Sequence, residues 1–219
     1  MKKWMLAGYW PARKESLDEC TARTVEFVSQ LVKAGSQFSC WYKLGKTRKQ
    51  ALEKAVNIQD TQIIRNLLNK GRNRKDIGGE IINELGYSLR IWNGGDGVGN
   101  ESNLSITCGG YSNFNKNKIL LEFEADLYAD KGNEEGLMLL RALAESWEPE
   151  WAGLMSRSAM QAREFGASRF PFVDWMVYVP RVLPLPPQPS RLIQVEGLGS
   201  IIVVQPVRRR LETLMQLPG

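Results

Sequence analysis

Apolar and polar positions along the chain switch repeatedly between a strand-like and a helix-like period. Residues 4–9 form a short apolar run stopped by Pro11, which predicts a first strand. From Leu17 the period lengthens: Ala22, Val25, Val28, Leu31 and Val32 recur at helical spacing until Gly35, with Ser16 as N-cap and Glu19 completing a capping box. Residues 38–44 read as short and extended. Thr47 caps a predicted helix over 48–56, and Asp60 or Thr61 caps a third, with Ile63, Ile64, Leu67 and Leu68 on one face before Gly71. The basic run 70–75 is expected to be a loop. Residues 77–85 are expected to form a short helix, weakened by Gly78 and Gly79.

The middle of the chain changes to period two. Residues 87–92 and 104–108 alternate, the Gly/Asn-rich segment 93–103 between them reads as a hairpin loop, and 118–124 supplies a third strand of a meander. A helix over 133–147 follows, with Leu137, Leu140, Ala144 and Trp147 on one side, then extended segments at 152–156, 173–179 and 201–204. Residues 180–189 carry five prolines, too many missing amides for a central strand, and Val182, Leu183 and Leu185 among them predict an arm ordered against the body. The last turns, 207–217, look helical. The pattern predicts an α+β fold: a single domain over residues 1–219, mainly antiparallel sheet with helices packed on one side.

Composition narrows the chemistry. Of 219 residues 43% are hydrophobic, enough for a sizeable core without disulfides or a metal. Cys20, Cys40 and Cys108 are far apart and lack any C-x-x-C spacing, so they are expected to be reduced, mostly buried thiols. There is no histidine. That removes the commonest general acid/base, the commonest metal ligand and every Ser-His or Cys-His nucleophile pair. No cofactor and no metal are expected. The apolar stretch behind Met1, Lys2 and Lys3 is too short for a secretory signal, and no window approaches the roughly 18 apolar residues of a membrane span, so a cytoplasmic location away from membranes is expected.

Candidate surfaces are read against that background. The glycine-rich 93–99 lacks the strand-to-helix context and the Lys-Ser/Thr ending of a phosphate loop, which leaves the hairpin reading. Residues 118–150 are strongly acidic within a chain of net charge +5. Clustered carboxylates steer a basic partner, which makes Asp126, Asp130, Glu134 and Glu135 the candidate partner-binding residues, against the plain alternative of a solvated face. Glu122 and Glu124 share one side of a strand and form the alternative site: a divalent metal or an acid/base pair of a carboxylate enzyme. The basic half, with Lys46, Arg48, Lys49, Arg72, Arg74 and Lys75, raises the further alternative of a nucleic-acid-binding accessory protein, but its charges are scattered and no recognition motif is present. The seven tryptophans are read first as core.

In order along the chain, Tyr9-Trp10-x-x-Arg13-x-Glu15-Ser16, Cys20-x-x-Arg23, Phe38-x-x-Trp41-Tyr42, Arg74-Lys75-Asp76, Leu85-Gly86-Tyr87-Ser88, Leu89 to Gly94, Cys108-Gly109, Trp147-x-Pro149-x-Trp151, Phe172 to Met176 and Gly197 to Ser200 together resemble the immunity protein 52 family of bacterial polymorphic-toxin systems. The resemblance implies an α+β protein with no catalytic residues. Its expected partner is a cognate toxin, usually with a restriction-endonuclease-like nuclease domain and commonly delivered by contact-dependent systems such as type VI secretion. Nuclease inhibitors are often acidic, whereas this chain is basic overall; the acidic stretch would restore complementarity locally, or the grip lies away from the nuclease centre.

Overall fold

A computed structural model describes residues 2–96, 99–112, 117–127, 132–157, 175–181 and 190–204. The expected 207–217 helix, the apolar core of the proline arm and Asp130 lie outside the described residues. Among the described residues there are ten strands: β1 (Lys2–Trp10), β2 (Trp41–Lys43), β3 (Ala55–Val56), β4 (Tyr87–Trp92), β5 (Ser102–Cys108), β6 (Asn117–Ala125), β7 (Trp151–Ser156), β8 (Met176–Val179), β9 (Ser190–Val195) and β10 (Gly199–Val204). The helices are α1 (Leu17–Ala34), α2 (Arg48–Leu52), α3 (Thr61–Lys70) and α4 (Gly132–Trp147).

All ten strands join one sheet in the order β3-β2-β4-β5-β6-β1-β7-β8-β10-β9. Every junction is antiparallel. The meander β4-β5-β6 follows from its alternating sequence. The insertion of β1 between β6 and β7 does not, because it pairs Lys2 with Ala125 and Trp4 with Ser156, contacts that no local signal encodes.

Sheet alternation sets the two faces. Trp4, Leu6 and Trp10 of β1, Leu104, Ile106 and Cys108 of β5, and Ile119, Leu121 and Phe123 of β6 are all buried and contribute to one core with α1, α3 and α4. Gly8 belongs to this face: a side chain there would come within 2.6 Å of Leu143 of α4, so its absence lets the helix lie close on the strand. Helix α1 packs against both α3 and α4, so the long helices form one layer. The opposite face carries Lys3, Tyr9, Glu122 and Glu124 by the same alternation.

Helix α1 begins as its sequence requires: Ser16 Oγ accepts from the Glu19 amide and the Glu19 carboxylate accepts from the Ser16 amide. Three expectations need correction. The predicted 48–56 helix is only α2, capped by Thr47; only Ala51 of it is buried, so a longer helix had no apolar face to cover, and Ala55 and Val56 pair with β2 instead. The helix expected over 77–85 is absent apart from a 3-10 turn at Asn83–Leu85. Gly78 and Gly79 take positive φ of 85° and 65°, which reverses the chain into a hairpin bridged at Arg74 and Ile81. Residues 38–44 are split between a 3-10 turn ending at Phe38 and β2. β9 is a strand beyond those the sequence pattern predicts; it pairs with β10 across a turn in which Gly197 has φ of 71°.

Candidate partner-binding site

The acidic residues fall on either side of one connection. Asp126 leaves β6 exposed, while Leu127 beside it turns into the core. Glu134 and Glu135 sit in the first turn of α4, where carboxylates complement the positive end of the helix dipole. Glu134 is exposed and Glu135 half-buried. Burial pushes the Glu135 carboxyl above the ordinary glutamate range. Because the folded pKa is the higher one, its contribution to stability is present below the ordinary value and fades as pH rises through the raised one. Glu135→Gln is therefore expected to remove the loss of melting temperature that this group contributes as pH rises above the ordinary glutamate value; identical pH profiles for both proteins would refute the assignment.

Glu122 and Glu124 occupy the other face of the sheet, as the strand period requires, but in unlike environments. Glu122 is exposed. Glu124 is 7% exposed and paired with Lys3 at 3.3 Å, across the register of β1 and β6. They line a cleft of about 200 Å³ with Lys3, Glu101, Asn103 and Arg157. Two cations thus enter the same cleft, and among the described residues no group of three potential ligands is arranged to hold a metal ion.

Much of the motif set that marks the sequence converges on one corner, and its roles there are structural. Arg13 donates to the Trp147 carbonyl at 3.0 Å and Arg23 to the Ser146 carbonyl at 2.8 Å, so two arginines cap the C-terminal end of α4. One oxygen of Glu15 lies 3.2 Å from Arg13 Nε and 2.9 Å from Arg23 Nε. The Arg13 contact is one of charge without an aligned hydrogen bond. Trp10 stacks on Trp147 with 5.2 Å between ring centroids, and Arg13 covers Trp10. Asn117 then ties Pro11 to Gly110, donating to the carbonyls of both. In the same corner Cys20 and Cys108 are both buried; interaction with the Cys20 thiol, then burial, pushes the Cys108 thiol well up, which keeps it protonated. Cys40 is the exposed exception.

The tryptophans are core, except that Trp151 is half-buried and stacks on Tyr9. The glycine-rich loop is a hairpin connection held by Asn93, whose Oδ1 accepts from Ser102 at 2.8 Å and whose amide donates to the Asn100 carbonyl at 2.7 Å. The feature that sequence reasoning misses is the hairpin of residues 73–82, in which residues 73–80 are all exposed and Ile77 stands 91% exposed at the tip. Its signal is the Ile-Gly-Gly triplet, a turn flanked by charge rather than a weak helix.

Taken together, these features define an α+β protein whose helices back one face of a continuous antiparallel sheet and whose charged surfaces face outward. The chain belongs to the immunity protein 52 family, whose sequence model matches residues 3–212. No curated protein matches it significantly. Among solved structures it is similar to a Pseudomonas aeruginosa T6SS protein, PA0821, with 13% identity, a TM-score of 0.47, and coverage of 92% of this chain and 69% of that one. No helix among the described residues is long and apolar enough to cross a membrane.

Proposed function

We propose that the protein is a cytoplasmic immunity protein, acting as one domain, that binds a cognate toxin stoichiometrically and neutralises it without chemistry of its own. The toxin is a nuclease with a restriction-endonuclease-like domain, delivered by a contact-dependent route such as type VI secretion. Membership of the immunity protein 52 family over nearly the whole chain carries this reading. The acidic margin around the β6–α4 connection supports it, because a nuclease must present cationic surface to its substrate and exposed carboxylates favour encounter with such a surface.

Rim charges of this kind act on the association rate. Replacing Asp126 and Glu134 together by lysine is expected to slow association with the toxin domain encoded beside this gene about 10-fold at low salt, and to weaken the salt dependence, with the fold intact. Equal rates and equal salt slopes for variant and wild type would reduce Asp126, Asp130, Glu134 and Glu135 to a solvated face.

A further inference from the structure

A single exposed aliphatic side chain is ordinary on a protein surface. Ile77 is exposed to a different degree, 91% against 53% for Leu44 and 43% for Met138. Its setting also differs. The hairpin beneath it is cross-linked by main-chain bonds from Lys75 to Glu80 and from Ile82 to Asn73, each 2.9 Å. A Lys75–Glu80 ion pair at 2.7 Å and a bond from Arg74 to the Gly79 carbonyl at 2.9 Å add side-chain rungs. At the base, Arg72 packs over the Tyr87 ring and bonds to Asn83, and Ser88 Oγ donates to the Gly71 carbonyl at 2.5 Å. Two-stranded hairpins are marginal in water. This one is cross-linked by these contacts, none of which buries its own tip.

We propose that residues 73–82 are a preformed docking finger whose tip, Ile77, seats in an apolar socket on the partner protein. Rigidity before binding lowers the ordering cost of association, and an aliphatic anchor held clear of the body reaches a concave site without a clash between the two proteins. The finger carries two cations, Arg74 and Lys75, and two anions, Asp76 and Glu80, with Lys75 and Glu80 paired, so its contact rests on the apolar tip inside a rim of mixed charge. The uniformly cationic groove that a nuclease offers its substrate does not match such a tip, which places the finger's contact outside the toxin's substrate channel. The partner's identity rests on the immunity reading given above.

The test measures binding of the toxin domain encoded by the adjacent gene, carrying an inactivating substitution, to four forms of this protein. These are the wild type, Ile77→Asp, Ile77→Leu, and the Lys75→Ala, Glu80→Ala pair. Ile77→Asp is expected to weaken binding about 100-fold, mainly through faster dissociation, while Ile77→Leu stays within about 5-fold of wild type. The double alanine variant, which unties the finger without touching its tip, is expected to lose about 10-fold. Melting temperatures should match, since a side chain this exposed adds little to the fold. Tight binding by wild type and Ile77→Asp alike would overturn the finger while leaving the immunity reading in place. Failure of the wild type to bind would overturn that reading and the finger with it.

Discussion

Glu15→Ala is expected to lower the melting temperature by about 6–12 °C, the shift that about 3 kcal/mol produces in a chain of this length. The Glu15 side chain is 7% exposed and sits between Arg13 and Arg23, whose side chains are 29% and 28% exposed. Removing the carboxylate takes away the partner that Arg13 and Arg23 share at the end of α4, although Arg23 keeps Glu148 at 3.1 Å. The partial contact of both arginines with water holds the cost at the lower end of what breaking a buried pair exacts. The two arginines also satisfy the Trp147 and Ser146 carbonyls, so their repulsion would pull at the α4 terminus and at the Trp10–Trp147 stack. A second measurement separates this from simple loss of packing. Adding Arg23→Ala to Glu15→Ala should cost less than the sum of the single changes by about 1 kcal/mol, because both single changes lose the same Glu15–Arg23 pair and the second relieves the repulsion between the two arginines. A Glu15→Ala protein that melts within about 1 °C of wild type would mean that the Glu15 ion pairs add little to a corner already held by its aromatic stack, the arginine–carbonyl bonds and Asn117.

That corner shows where the sequence is legible and where it is not. Capping is local chemistry, so Ser16, Glu19, Thr47 and Asp60 can be read as caps from residue type and spacing, and each accepts the bond expected of it. The β4-β5-β6 meander is legible for the same reason. Strand order is not, since placing β1 between β6 and β7 depends on contacts more than a hundred positions apart. Residues 55–56 go to β3 because pairing with β2 outweighs a helix that has nothing to bury. Among the candidate site residues, sequence marks the carboxylates but cannot rank them. Glu122 and Glu124 look alike on a strand, and only the cross-strand neighbour Lys3 makes one of them a buried ion-pair member. Glycines are the least legible: Gly78-Gly79 and Gly86 look equivalent as chain-breakers, yet one pair turns a free-standing hairpin and the other residue lies against a neighbouring backbone.

Gly86→Ala is expected to be the most damaging of these glycine changes, at about 4 kcal/mol, or a melting temperature lower by about 8–16 °C. Gly86 has φ of 68° and ψ of −142°, a region that only glycine occupies without strain. A Cβ there would also meet the Cys108 carbonyl oxygen at 2.2 Å and the Gly110 nitrogen at 2.5 Å. Both are backbone atoms and cannot rotate away. Cys108 is the register partner of Tyr87 at the start of β4, and the Gly110 amide donates to Asn117 Oδ1 at 2.8 Å, so relief of the clash must open the β4–β5 pairing or the Asn117 tie. Gly78→Ala supplies the control. It has φ of 85°, but a Cβ added there would meet nothing within 4 Å, so it should carry the conformational strain alone, about 1–2 kcal/mol. Thermal or denaturant unfolding of the two variants separates the terms. If Gly86→Ala costs no more than Gly78→Ala, the corner yields easily, and close backbone approach is not what fixes glycine beside Tyr87.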